Sequence, residues 1–86
     1  MGYRVIKYGA SWCSQCKIQD KEFEKNPLKC PLHKVDVDDL EEREIESLKL
    51  QSIPVTILWE EEDDVWEEIN RWVGFVKSEE INNLIK

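Results

Sequence analysis

The chain has 86 residues, which corresponds to one domain, and 41% of them are apolar, enough for one modest core. Its net charge of −7 disfavours nucleic acid and anionic membranes as partners, because both carry negative charge. No apolar run is long enough for a signal segment or a membrane span, so we expect a cytoplasmic protein, and a monomer. In a reducing cytosol, three cysteines indicate redox catalysis or metal binding rather than structural disulfides.

The first half of the chain predicts a strand, a helix and a second strand. Residues 3–8, Tyr-Arg-Val-Ile-Lys-Tyr, predict a strand that Gly9 stops. From Ser14 to about Lys25 the sequence is polar with sparse apolar positions, which predicts a helix of modest amphipathicity that ends before Pro27. Leu32 to Val37 predict the second strand.

The middle of the chain predicts a helix followed by the most apolar strand. Asp38 or Asp39 is expected to cap the second helix, because a glutamate follows three residues later. Residues 53–59 predict the third strand. The residues expected to form the buried stripe of the helix are Leu40, Ile45 and Leu48.

The last part of the chain predicts a hairpin and a short helix. The five adjacent carboxylates at 60–64 cannot all be buried, so they predict a solvated turn, and residues 65–73 predict the fourth strand. Ser78 is expected to cap the last helix. The residues of that helix expected to face inward are Ile81, Leu84 and Ile85.

The predicted elements follow the order βαβαββα in a single domain over residues 1–86. The βαβ start implies a right-handed crossover between parallel strands, and the acidic turn implies an antiparallel hairpin. The predicted class is therefore α/β, with a four-stranded mixed sheet and three helices against its faces.

Cys13 and Cys16 are separated by two residues, and they follow a predicted strand and open a predicted helix. A helix N-terminus favours an anion such as a thiolate, because free backbone N–H groups and the helix dipole meet there. The pair is therefore predicted to form a reversible disulfide. Cys13, at the first turn, is expected to be the exposed nucleophile, and Cys16, one turn inside, the resolving thiol.

The same cysteines also allow a metal site. Cys30 and His33 follow the pair, and the resulting Cys3His set has spacing within the range of structural zinc sites. Spacing alone does not separate the two interpretations. The strand-then-helix context favours redox chemistry, as does an apolar pattern sufficient for folding without metal.

Four segments together resemble the thioredoxin family. Residues 10–17, Ala-Ser-Trp-Cys-Ser-Gln-Cys-Lys, resemble its active-site segment, and residues 50–56 resemble the segment that carries a cis-proline beside the cysteines. Residues 73–75 resemble the glycine corner of the substrate groove, and residues 35–38 resemble a strand of the shared core. The resemblance implies a thioredoxin-like fold with strand order 2-1-3-4, without the additional first strand and helix of a full-length thioredoxin.

The resemblance also implies an activity. The chain would be a thiol–disulfide oxidoreductase that reduces protein disulfides with Cys13 and Cys16, without a cofactor or a metal. A thioredoxin reductase or the glutathione system would reduce it in turn. The implied substrate-binding residues are Trp12, Ile53, Pro54 and Gly74. A redox-silent thioredoxin-like domain that binds partners is a third class that the sequence allows.

Two residues depart from or add to the family pattern. The family's buried acid, six residues before the first cysteine, is replaced by Lys7. One interpretation is that the charge of Lys7 modulates the cysteines by stabilising a thiolate or moving a proton. The other, which we favour, is that its stem packs while its amine extends to the strand end. Cys30 is either a third redox site or a small buried apolar residue, and the second is favoured.

Overall fold

A computed structural model describes residues 2–86 of the chain. Four strands and three helices follow the predicted order. They are β1 (Gly2–Gly9), α1 (Ser14–Lys25), β2 (Leu32–Asp36), α2 (Glu42–Ser47), β3 (Val55–Glu62), β4 (Val65–Val73) and α3 (Ser78–Asn82). A short 3-10 turn spans Val37–Asp39 between β2 and α2. No helix within residues 2–86 combines the length and hydropathy needed to cross a membrane.

The sheet has the predicted strand order, β2-β1-β3-β4. β1 pairs with β2 in parallel, with α1 as the crossover, and β3 is antiparallel to both β1 and β4. The register places Lys7 of β1 beside Lys34 of β2 and Thr56 of β3. Paired residues share a face, so these three side chains form a row across the sheet.

Each face of the sheet is covered by a different set of helices. On one face, Val5 and Leu58 pack with Phe23 of α1 and Ile81 of α3. The opposite face packs against the segment that includes α2. Its buried residues are Tyr8, Leu50, Val55 and Ile57. Alternation along the strands produces this division, because successive side chains point to opposite faces.

The second helix begins later than predicted. Asp38 and Asp39 do not cap it, because they lie in the 3-10 turn, where the Asp36 carboxylate accepts a hydrogen bond from the Asp38 N–H at 2.9 Å. The N-cap of α2 is Glu41, which forms a reciprocal capping box with Glu44. Acidic residues therefore cap two elements: Asp36 caps the 3-10 turn next to β2, and Glu41 caps α2.

The acidic segment forms a strand for most of its length. β3 begins at Val55, after Pro54, and continues through Glu62, so the predicted turn over 60–64 is wrong for its first three residues. Only Asp63 and Asp64 form the turn, with φ values of 53° and 64°. A two-residue hairpin turn of this hand matches the twist of the flanking strands, and pairing with β4 extends β3.

Two expectations for the last helix are also wrong. The N-cap of α3 is Lys77 rather than Ser78, whose backbone N–H donates to the Glu22 carboxylate at 2.8 Å. Leu84 is exposed, whereas Ile81 is fully buried and Ile85 is partly buried against the same cluster. The helix ends at Asn82, so the inward stripe does not continue to Leu84.

Candidate active site

The two cysteines of the predicted site lie at the N-terminus of α1 and form a disulfide. Cys13 is the N-cap residue with extended backbone, and the Cα atoms of Cys13 and Cys16 are 5.2 Å apart. The backbone N–H of Cys16 donates to Cys13 Sγ at 3.1 Å. The sulfur of Cys13 therefore occupies the position where the helix end best stabilises a negative charge once the disulfide is reduced.

The two cysteine residues differ in accessibility. Cys13 retains 9% of its surface accessible and Cys16 only 1%. Ala10, Val37 and Ile53 pack around them. The difference has the direction expected for a nucleophile and a resolving thiol, although Cys13 is more covered than expected.

Pro54 and Gly74 lie together beside the pair. The Ile53–Pro54 bond is cis, and the Gly74 N–H donates to the Pro54 carbonyl at 2.8 Å. Gly74 has φ +88°, which L side chains rarely adopt, while a Cβ there would meet nothing within 4 Å. Its backbone conformation, rather than lack of space, therefore calls for glycine. The structure thus brings Ile53, Pro54 and Gly74 to the end of the sheet where Cys13 lies.

Trp12 projects from the same end of the molecule. It is 67% exposed, and its indole Nε1–H donates to the Asp38 carboxylate at 2.9 Å. A cleft beside it is also lined by Val37, Leu50 and Ile53. The exposed ring is thus held in one orientation next to Cys13. This role of Asp38 was missed because the sequence indicated only a helix cap.

Lys7 does not reach solvent. The side chain is buried, its Nζ donates to Asp20 Oδ1 at 2.6 Å, and the Cys16 carbonyl lies 3.5 Å from Nζ. The favoured prediction that its amine snorkels to the strand end is therefore wrong. A carboxylate on α1 gives the charge a partner inside the protein, so the side chain has no need to extend to water.

Two contacts of α1 side chains were not predicted from the sequence: Asp20 pairs with Lys7, and Gln19 binds the backbone of Val76. Asp20 lies four residues after Cys16, which puts both residues on one face of a helix. This spacing could have predicted that Asp20 lies near Cys16. Gln19 is fully buried, and its side-chain amide both donates to the Val76 carbonyl at 2.9 Å and accepts from the Val76 N–H at 2.8 Å. This pair of bonds holds the segment that follows Gly74 against α1.

The four residues of the zinc interpretation do not come together. Cys30 is half-buried against the cluster around Val5, and burial raises the pKa of its thiol. His33 is exposed on β2, and Cys13 is bonded to Cys16. Within residues 2–86 no three His, Cys, Asp or Glu side chains form a group able to hold a metal ion.

The fold and the site define a class: a small α/β protein with a disulfide between the N-cap and the first turn of its first helix, next to a cis-proline. The chain belongs to the thioredoxin family, because the family model described as Thioredoxin matches residues 2–86. Family membership, together with the disulfide between Cys13 and Cys16 at the start of α1, supports the function of a thiol–disulfide oxidoreductase.

Several solved structures resemble the chain closely in fold. The structure of a malarial protein has a TM-score of 0.74 at 27% identity, covering 99% of this chain and 94% of that one. Thioredoxin-2, described as a component of malaria parasite protein secretion machinery, has a TM-score of 0.72 at 27% identity and coverages of 98% and 81%. Trichomonas vaginalis thioredoxin, at 23% identity and a TM-score of 0.70, shares the fold over 85% of this chain and 68% of its own. Among curated proteins, no sequence matches this chain.

Proposed function

We propose that the chain reduces protein disulfides, with Cys13 as the nucleophile and Cys16 as the resolving thiol. The observation that carries this assignment is the position of Cys13 Sγ, which caps α1 and accepts the Cys16 N–H. A thiolate there is stabilised by the helix end, so it is the better nucleophile of the two. The greater accessibility of Cys13 supports the same order of events.

The reaction has two exchange steps. The Cys13 thiolate attacks a substrate disulfide, forms a mixed disulfide, and releases the first substrate sulfur as a thiolate. Cys16 then loses its proton and attacks Cys13 Sγ, which breaks the mixed disulfide and releases the second substrate thiolate. Two electrons pass to the substrate, and the chain is left with the Cys13–Cys16 disulfide.

The substrate is proposed to be an extended protein segment lying across Ile53, Pro54 and Gly74. These residues lie at the ends of adjacent strands beside Cys13, and Trp12 adds an exposed apolar surface at the same place. A strand-like segment docks with main-chain hydrogen bonds, which suits a site that accepts many sequences.

The chain then needs an electron donor. We propose a thioredoxin reductase or the glutathione system, in the cytoplasm, because a disulfide formed in each cycle must be reduced before the next. The net charge of −7 supports soluble protein partners rather than nucleic acid or an anionic membrane.

An insulin-reduction assay tests the proposed roles. Cys13→Ser is expected to abolish turnover, because it removes the attacking sulfur. Cys16→Ser is expected to accumulate a covalent mixed disulfide that mass spectrometry detects. Cys30→Ser, which alters a half-buried cysteine outside the pair, is the matched control and should retain full activity. Turnover by Cys13→Ser at the parent rate would exclude the mechanism.

A further inference from the structure

An ion pair between a buried ammonium and a partly exposed carboxylate lies beside the resolving cysteine: the side chain of Lys7 is 6% exposed and that of Asp20 is 32% exposed. Lys7 is only 5% exposed, and its ammonium is placed between the Asp20 carboxylate at 2.6 Å and the Cys16 carbonyl at 3.5 Å. A buried charge is costly unless it has a partner, and replacing such a pair by apolar residues often stabilises a protein. The pair therefore calls for an explanation other than stability.

The ammonium is also close to the sulfur of Cys16. A Cβ placed on Gly9 would lie 3.2 Å from Lys7 Nζ and 3.0 Å from Cys16 Sγ. The two atoms therefore cannot be further apart than the sum of these distances, and the space between them and Gly9 is closed to any side chain. Opposite charges at such a separation shift protonation equilibria substantially.

Other charged side chains surround the ammonium of Lys7. A cleft at this place is lined by Asp20 and Lys17 of α1 and by Lys34 and Asp36 of β2. Lys34 reaches Asp20 Oδ1 at 3.5 Å but is half exposed, so water screens its charge more than that of Lys7. On β3, the facing residue is Thr56, a buried hydroxyl with no hydrogen-bond partner in the structure.

We propose that Lys7 is a positioning residue whose ammonium stabilises the Cys16 thiolate during resolution, and that Asp20 holds it in place and moderates its charge. The inference rests on the proposed function, since it concerns the second exchange step of that reaction. Asp20 lies on α1, one helical turn beyond Cys16.

The step balances without another reactant. The Cys16 thiol loses its proton to solvent, and the resulting thiolate forms the bond to Cys13 Sγ as the substrate sulfur leaves with the electron pair of the broken bond. The Lys7–Asp20 pair is not consumed in this step. The part of Lys7 is to lower the free energy of the thiolate that appears between these events, and the part of Asp20 is to hold the Lys7 side chain in place.

Titration of Cys16 in a Cys13→Ser background tests the proposal, with thiolate absorbance as the readout. Lys7→Met keeps the length of the stem and removes the charge, so we expect the thiolate fraction at a given pH to fall about tenfold. Asp20→Asn frees the charge of Lys7, so the fraction should rise. Lys34→Met is the matched control, because it removes a screened charge from the same carboxylate, and it should change the fraction by less than about twofold.

The rate of resolution gives an independent readout. In the chain with both cysteines, decay of a preformed mixed disulfide should slow about three- to fourfold in Lys7→Met, since a more basic thiolate is scarcer but more nucleophilic. An unchanged Cys16 titration in folded Lys7→Met would overturn the proposal. A fall in the thiolate fraction of Asp20→Asn, where a rise is expected, would overturn it as well. If Lys7→Met does not fold, the direction for Asp20→Asn decides alone. The titrations do not depend on insulin reduction. Failure of the proposed function would therefore appear in the insulin assay, and failure of this inference in the titrations.

Discussion

The two faces of the sheet bury different kinds of side chain. The face against α2 is built from Tyr8, Leu50, Val55 and Ile57, with further apolar residues at its margin. The face against α1 and α3 has an apolar centre too, but it also holds the buried polar and charged side chains of residues 2–86. These are Lys7, Gln19, Thr56 and Ser78.

The difference separates the support of the fold from the support of the site. Apolar burial stabilises without needing partners, whereas each buried polar group needs one. Lys7 and Gln19 have theirs, in Asp20 and in the backbone of Val76. Polar burial is thus concentrated on the face that carries Cys16, where charge and loop position affect chemistry.

The largest effect on stability is expected from the apolar face. Ile57→Ala removes a fully buried side chain and should lower the free energy of unfolding by about 2–5 kcal/mol, measured by chemical denaturation. Ile69→Ala, at an exposed position of β4, is the control and should cost less than about 0.5 kcal/mol. Equal losses from both would remove the distinction between core and edge.

Gln19→Leu should cost about 2 kcal/mol of unfolding free energy, because it leaves the N–H and carbonyl of Val76 without partners. The exposed Gln15 on the same helix provides the control, and Gln15→Leu should leave stability nearly unchanged. A neutral Gln19→Leu would mean that this polar contact can be replaced by apolar packing like that of the α2 face.

Thr56→Val should have the opposite sign. The Thr56 hydroxyl is buried and has no hydrogen-bond partner within residues 2–86, so replacing it by a methyl group is expected to stabilise the protein by about 1 kcal/mol. Thermal melting of the two forms measures this. A destabilised Thr56→Val would show that the hydroxyl has a partner, and would place it within the polar network around Lys7.

The smallest effect is a pH dependence between α1 and α3. The Ser78 backbone N–H, the main cause, holds the pKa of Glu22 below its ordinary value of 4.5. Because the pKa of this carboxyl is lower in the folded than in the unfolded protein, its charge stabilises the folded state. That stabilisation is complete above the pKa of the unfolded state and is lost as the pH falls through the pKa of the folded state. Melting temperatures of the parent should therefore decline more steeply below pH 4.5 than those of Glu22→Gln. Parallel curves would contradict the assignment.

The sequence predicts the parts of the structure that depend on local pattern. The order of the elements and the placement of Cys13 at the start of α1 follow from periodicity and motif order, and the strand order follows from the resemblance to the thioredoxin family. The extension of β3 through Glu62 does not, because pairing with β4 outweighs the low strand preference of acidic residues. The Lys7–Asp20 pair was also missed, since it joins a strand and a helix and depends on the absence of a side chain at Gly9.

The central claim is that Cys13 and Cys16 form a reversible redox couple. Equilibration of the chain in glutathione redox buffers, with free thiols counted by mass spectrometry, measures this directly. We expect one two-electron transition between about −270 and −120 mV, the range of related dithiols, with Cys30 remaining a thiol throughout. A pair that stays fully reduced or fully oxidised across that range would contradict the account.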